Sequence, residues 1–173
     1  MSFAVDDQNN FTSHNLVKLK EVDEKYFLDK PALLSMGDNL SEALNIISNA
    51  FGVSLVNPRR IVPIFGIYLV IDFHLLVHIV EKRANGRERF ALFAQKTLMN
   101  PVEVWKTLYS DGSYRYVYIG LFLDSKYHLA VVINIMQNGQ ILWNYMNCEL
   151  RSLDKFRKGS LEYSALNEKK GDN

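Results

Sequence analysis

The feature that most constrains this chain is a change in the spacing of its apolar residues at the Ser110-Asp-Gly-Ser113 turn. Before the turn, residues repeat at the helical period: Leu40, Ala43, Leu44, Ile47 and Phe51 in one stretch, Leu75, Leu76, Ile79 and Val80 in a second, and Phe90, Phe93, Ala94, Thr97 and Leu98 in a third. After it they alternate, as residues of a half-buried strand do. A helical first half followed by an alternating second half reads as α+β, with N-terminal helices packed on an antiparallel sheet of about four strands. Those strands are Tyr114 to Leu123, Tyr127 to Met136, Ile141 to Asn147 and a brief last one, Ser160 to Ser164. Asn138-Gly139 is a strong hairpin signal between the second and third.

Local punctuation fills in the rest. Asp38 or Asn39 can cap the first helix and Gly52 ends it; Asn57-Pro58 and Pro63 mark a loop that carries Arg59 and Arg60. Ile67 to Ile71 reads as a short β-branched strand. Asp72 then caps a helix that runs to Asn85-Gly86. Asn100-Pro-Val-Glu103 supplies a cap, a proline at the first helical position and a glutamate three further on, the start of a short helix through Trp105 and Leu108. Residues 1–37 are a leader or docking segment, polar as far as Lys20, with His14 solvent-exposed. Residues 38–165 form the domain, and 166–173 are a polar tail.

Composition excludes some classes and leaves others open. With 173 residues, 48% hydrophobic and 23% charged, the chain suits one globular core. Its one cysteine, Cys148, cannot close an intrachain disulfide, and no charged-apolar-small signal opens the chain, so a cytoplasmic, reducing compartment is the default. Asp72 and two histidines break the longest apolar run short of the roughly 18 residues a spanning helix needs, so no membrane partner is expected. A net charge of +1 leaves nucleic acid open, since a phosphate groove needs a local basic cluster rather than an overall excess.

The candidate chemistry starts at Asp72-Phe-His-Leu-Leu-Val-His78-Ile-Val-Glu-Lys82. At the helical period His74, His78 and Lys82 form a polar column opposite the apolar face, either as satisfied core histidines or as a site. A helical metal pair of the zincin kind needs glutamate directly after its first histidine. Here that residue is Leu75, and one cysteine with four histidines supplies no evident third ligand. Neither metal nor cofactor is expected. Tyr114, Tyr116 and Tyr118 share one strand face, where they can stack unpaired bases or pack beneath a helix, while Arg115 lies on the opposite face with Val117 and Ile119. On the third strand Trp143, Tyr145 and Asn147 share a face. The cations from Arg151 to Lys158 are either a solvated face or a phosphate contact.

Taken together, His78-Ile-Val-Glu-Lys-Arg, the run from Lys96 through Asn-Pro-Val-Glu-Val-Trp105, the Arg115-Tyr116 strand and Arg157-Lys-Gly-Ser-Leu-Glu-Tyr163 resemble the phage-associated BECR nucleases. That group joins barnase, EndoU, colicins E5 and D, and RelE. The resemblance covers about the latter two-thirds of the chain. It implies a barnase-like fold and metal-independent cleavage of RNA, a structured RNA such as tRNA in particular, by attack of a 2′-hydroxyl on the adjacent phosphate. The products are a 2′,3′-cyclic phosphate and a free 5′-hydroxyl. It also implies a toxin-like effector of a phage or mobile element, with an immunity or antitoxin protein as partner. Histidine suits either proton role because imidazole titrates near neutrality, which places His78 there. Arg115 and Arg157 would hold phosphate oxygens in their guanidinium forks, and Asn147 or Ser160 would donate a neutral hydrogen bond. Lys82, His74, Tyr116, Lys158 and Tyr163 complete the expected substrate contacts. His78 and Arg157 are carried by motif, Arg115 partly by its strand position. Where a small hydroxyl is expected on the third strand, this chain has Asn144, Tyr145 and Asn147. The alternative is a catalytically silent relative that binds RNA or a protein.

Overall fold

The sheet has seven strands rather than the about four that alternation alone indicates. In the computed structural model, which describes residues 2–166, the elements in chain order are α1 (Leu40–Phe51), β1 (Arg59–Pro63), β2 (Tyr68–Asp72), α2 (Phe73–Val80), α3 (Ala91–Met99), β3 (Glu103–Leu108), β4 (Tyr114–Gly120), β5 (His128–Met136), β6 (Gly139–Cys148), α4 (Leu150–Leu153) and β7 (Ser160–Ser164). The strand order is β1-β2-β6-β5-β4-β3-β7. Pairing is antiparallel except at β2–β6, which run parallel for a short contact, Leu69 beside Gln140 and Val70 beside Ile141. Beyond Ile141, β2 turns away into α2, and among the described residues no strand pairs with the outer edge of β6 there.

The largest departure from the sequence reading is β3. The Asn-Pro-Val-Glu start is a good helix opening, yet Val104, Trp105 and Thr107 are β-branched or aromatic, and six residues offer a helix too few turns to nucleate. The segment instead pairs on both sides, with β4 and β7. Glu103, positioned for a capping box, is fully buried and binds Arg157. A second departure is the length of α2, which ends at Val80. The chain continues through short 3-10 turns, with Gly86 at φ 53°, so Lys82 lies outside the helix.

Each sheet face carries its own core. Leu69, Val104, Tyr118, Val131, Ile133, Leu142 and Tyr145 point toward α1, α2 and α3. Trp105, Val117, Ile119 and Ala130 point the other way. That second face is covered by α4 and by the N-terminal segment, which is ordered against the sheet rather than a loose leader. Leu19 is fully buried, Val5 N donates to Leu108 O at 3.0 Å, Phe11 N to Arg157 O at 2.9 Å and Leu28 N to Leu121 O at 2.7 Å. His14 is likewise not free in solvent: its Nε2 lies 3.3 Å from Gly159 O and its ring meets Trp105 edge-on at 5.2 Å. Two glycines permit close approaches. A methyl group on Gly120 would overlap the Thr97 side chain of α3, and one on Gly159, at φ 104°, would overlap the Lys106 carbonyl of β3. Of the expected tail, only Leu166 is among the described residues.

Candidate active site

Strand β6 contains a bulge. Val132 faces Asn144 and the next β5 residue, Ile133, faces Leu142, so Trp143 is an extra residue without a partner across the ladder. The bulge overrides simple alternation: Tyr145 and Leu142 both pack in the helix-side core, while Asn144 stands on the second face in line with Val132 and Val117. Trp143 therefore does not share the face of Tyr145 as strict alternation would require. It sits at the open edge of β6, beside the helix that follows β2.

Two of the expected site residues meet at this ring. His78, in the last turn of α2, stacks on Trp143 with ring centroids 6.4 Å apart and planes 28° from parallel. Arg115 comes from β4 across the second face and places its guanidinium carbon 5.6 Å from the same ring, with the Tyr109 ring 4.0 Å away. His78 is held on its other side by Glu81, Nδ1 to Oε2 3.6 Å, one turn along the same stretch. The imidazole is 57% exposed, so the His74–His78 column faces solvent rather than the core. Arg115 is 9% exposed, and its Nε is buried without a hydrogen-bond partner. Among the described residues no carboxylate lies within ion-pair distance of it, although its charge adds a small part to the lowered pKa of Asp111, which owes most to Ser113. Burial raises the pKa of the neighbouring Tyr109 hydroxyl, with Arg115 opposing the change.

A second arginine approaches from the helix side. Arg87 Nη1 donates to Asn144 Oδ1 at 3.1 Å, and the buried Tyr145 hydroxyl pins the Arg87 carbonyl at 2.8 Å. Beside it a cavity of about 340 Å³ is lined by Arg87, Asn85, Tyr127, Asn147, Lys155 and Phe156, among others. Asn147 thus belongs to this cavity.

The C-terminal residues of the expected site are elsewhere. Arg157 has no exposed surface: it donates to Glu103 through Nε at 2.7 Å and Nη2 at 2.8 Å, and through Nη1 to Asp154 at 2.8 Å and Val17 O at 2.9 Å. Burial alone would lower its pKa, but Glu103 and Asp154 outweigh that and raise it. Four of its five donors serve the fold, which leaves no fork for a phosphate. Ser160, Lys158 and Tyr163 accompany it at the β7 side, four strands from β6, about 19 Å at roughly 4.8 Å per strand. Ser160 is exposed on the edge strand, Lys158 pairs with Asp6 at 3.2 Å, and Tyr163 tilts against Phe65 at 4.4 Å. Tyr116 packs against the helix-side core and offers no stacking platform. His74 is exposed with its ring edge-on to Phe73 at 5.6 Å, and Lys82 is exposed beyond the end of α2. Among the described residues no group of three His, Cys, Asp or Glu is placed to hold a metal ion, and no helix is long and apolar enough to cross a membrane.

Of the residues expected at the site, His78 and Arg115 come together at one ring, and sequence reasoning did not include their surroundings, Trp143, Tyr109, Glu81 and Arg87. Glu81 had a readable signal, its i,i+3 spacing from His78. Trp143 had none, because a bulge is not visible as a break in apolar alternation.

Residues 48–164 match the family described as phage-Barnase-EndoU-ColicinE5/D-RelE like nuclease2, PBECR2, and the chain belongs to that family. No curated protein and no solved structure matches it.

Proposed function

We propose that the protein is an endoribonuclease of toxin-like character that cleaves RNA without a metal, by attack of the ribose 2′-hydroxyl on the adjacent phosphate. The observation that carries this reading is Arg115: among the described residues, a buried guanidinium with an unpartnered Nε and no ion-paired carboxylate, resting against the ring on which His78 stacks. A buried donor left unsatisfied is costly, and a phosphate oxygen is the acceptor that guanidinium geometry suits best. His78 exchanges protons with the 2′-hydroxyl or the leaving 5′-oxygen, and Glu81 and Trp143 fix the plane of its ring. Arg115 neutralises charge as it builds on the phosphorane oxygens. The bond from the 2′-oxygen to phosphorus forms as the bond to the 5′-oxygen breaks, leaving a 2′,3′-cyclic phosphate and a 5′-hydroxyl. Structured RNA such as tRNA is the first substrate class to try, and an immunity or antitoxin protein is the corresponding partner.

The test is cleavage of total RNA in the presence of EDTA, with end-group analysis. Cleavage should survive the chelator and yield cyclic phosphate ends, and His78→Ala should slow it by about 10²–10⁴-fold, the range for one general acid or base. A His78→Ala protein as fast as the parent sinks the assignment. RNA bound but never cut by the parent makes the protein a silent binding module of the same fold.

A further inference from the structure

Of the five described arginines that are partly or fully buried, Arg83, Arg87, Arg89, Arg115 and Arg157, two are matched by a carboxylate. Arg83 pairs with the fully buried Glu88 at 2.7 Å, and Arg157 with Glu103 at 2.7 Å. Arg87, Arg89 and Arg115 are in no ion pair among the described residues, and of these Arg87 lines a cavity that holds a second cation. Arg87 is half-buried, and its one side-chain hydrogen bond among the described residues goes to a neutral amide oxygen, Asn144 Oδ1. Desolvation lowers its pKa, with only weak opposition from Tyr145 and Cys148. A partly desolvated cation without a counter-charge is expensive unless an anion arrives to share the site.

The surroundings show where that anion would sit. Arg87 and Lys155 line the same cavity on opposite sides of the open edge of β6, the first from the helix side and the second from the segment after α4. Both cations oppose the burial that raises the pKa of Cys148 in the wall between them, so their charges converge on one space. Lys155 makes no ion pair among the described residues. Its ammonium lies 5.1 Å over the Phe156 ring. Asn85 and Asn147 add amide groups to a wall that carries no carboxylate among the described residues. Along β6 the cavity wall begins at Met146, three residues beyond the Trp143 platform, and Arg87 spans part of that interval through its bond to Asn144.

We propose that the Arg87–Lys155 cavity is a second phosphate subsite, which holds a further phosphate of the strand whose scissile phosphate lies at Arg115, so that the enzyme requires an RNA longer than a dinucleotide. The inference rests on the nuclease reading, because it takes the Arg115 position as the scissile phosphate. A guanidinium and an ammonium around one pocket fit a phosphodiester, and the 340 Å³ of space holds a phosphate with its sugar. The matched pairs Arg83–Glu88 and Arg157–Glu103 are excluded from this role because their donors are already spent on the fold.

The experiment is fluorescence anisotropy with a labelled, uncleavable 2′-O-methyl RNA hexamer of mixed sequence, titrated at several salt concentrations. Parent protein, Arg87→Gln, Lys155→Gln and Arg115→Gln are compared, each checked for an unchanged thermal transition. Lys155 is exposed, so its variant folds irrespective of Arg87. Arg87→Gln and Lys155→Gln should each weaken binding by about threefold to tenfold. Each should lower the slope of log affinity against log salt by about 0.7, the contribution of one single-strand phosphate contact. Losing the label-independent difference between a hexamer and a dinucleotide in both variants is the further expected sign. Parent-like affinity and slope in both variants, with Arg115→Gln impaired, overturns the subsite and leaves the nuclease reading standing. A parent protein that binds no RNA overturns both.

Discussion

Arg157 offers the sharpest separation between what a motif suggests and what the fold does with it. Replacing it with methionine removes the guanidinium from a site where neither it nor Glu103 has any exposed surface. Glu103 would keep one donor, the Trp105 indole at 2.9 Å, while Asp154 would still accept from Leu19 N at 3.2 Å. Val17 O would lose its arginine bond, and with it a tie between the N-terminal segment and the sheet. Stranding one partner of a buried ion pair costs about 3–5 kcal/mol. For a chain of this size that lowers the melting temperature by about 6–20 °C, at roughly 2–4 °C per kcal/mol. Glu103→Gln should cost less, because Asp154 still faces the guanidinium at 2.8 Å. Urea unfolding followed by circular dichroism gives the stability loss, and RNA cleavage is measured on the same samples well below the transition. The reasoning predicts a large stability loss with cleavage per folded molecule little changed. A variant as stable as the parent but unable to cut RNA would show that Arg157 meets substrate after all.

Two further outcomes follow from buried groups. His128 Nδ1 accepts from Phe122 N at 3.0 Å, and burial lowers the His128 pKa from 6.5 to about 4, so the unfolded chain binds a proton that the folded one refuses. Its contribution, about 3 kcal/mol, is therefore present above pH 6.5 and lost as pH falls toward 4; His128→Asn, which can keep the acceptor, should flatten that part of the stability–pH curve, and an unchanged curve would refute the assignment. Gly120→Ala should push α3 off β4 and destabilise by about 1–3 kcal/mol, with Thr97→Ala in the same chain recovering only part of the loss in thermal unfolding, because Thr97 Cβ itself lies 2.8 Å from the added methyl; a Gly120→Ala protein as stable as the parent would refute the contact.

Much of this architecture was readable because most elements obey one period at a time. α3 buries the residues its spacing selects and α1 buries Ala43, Ile47 and Phe51 of its set, with Leu40 exposed before the first turn packs, while β4 alternates as expected, Val117 and Ile119 entering the second-face core. β3 escaped because its start is written in helix-capping residues while its body is β-branched and aromatic, and the two neighbouring strands decide between them. Arg157 escaped for a different reason. A motif names a residue but not its partner, and Glu103 is 54 positions away in sequence. The convergence of His78 and Arg115 was legible only as a pair of candidate residues. Their meeting point depends on a one-residue slip between β5 and β6 that no periodicity records.

That slip acquires its meaning from the topology around it. β2 accompanies β6 only as far as Ile141 and then becomes α2, with Asp72 turning from strand end to helix cap by accepting from His74 N at 2.9 Å. The strand edge that β2 vacates begins where the bulge places Trp143, and the helix it turns into delivers His78 to the same point. Had β2 paired two residues further, its backbone would have occupied the edge and the ring could not have reached both His78 and Arg115. Had it stopped earlier, α2 would have risen away from the sheet. A site assembled in this way depends on register more than on any one side chain. An insertion in β2 or a slip of the β5–β6 ladder would then separate histidine from arginine while leaving the core composition intact.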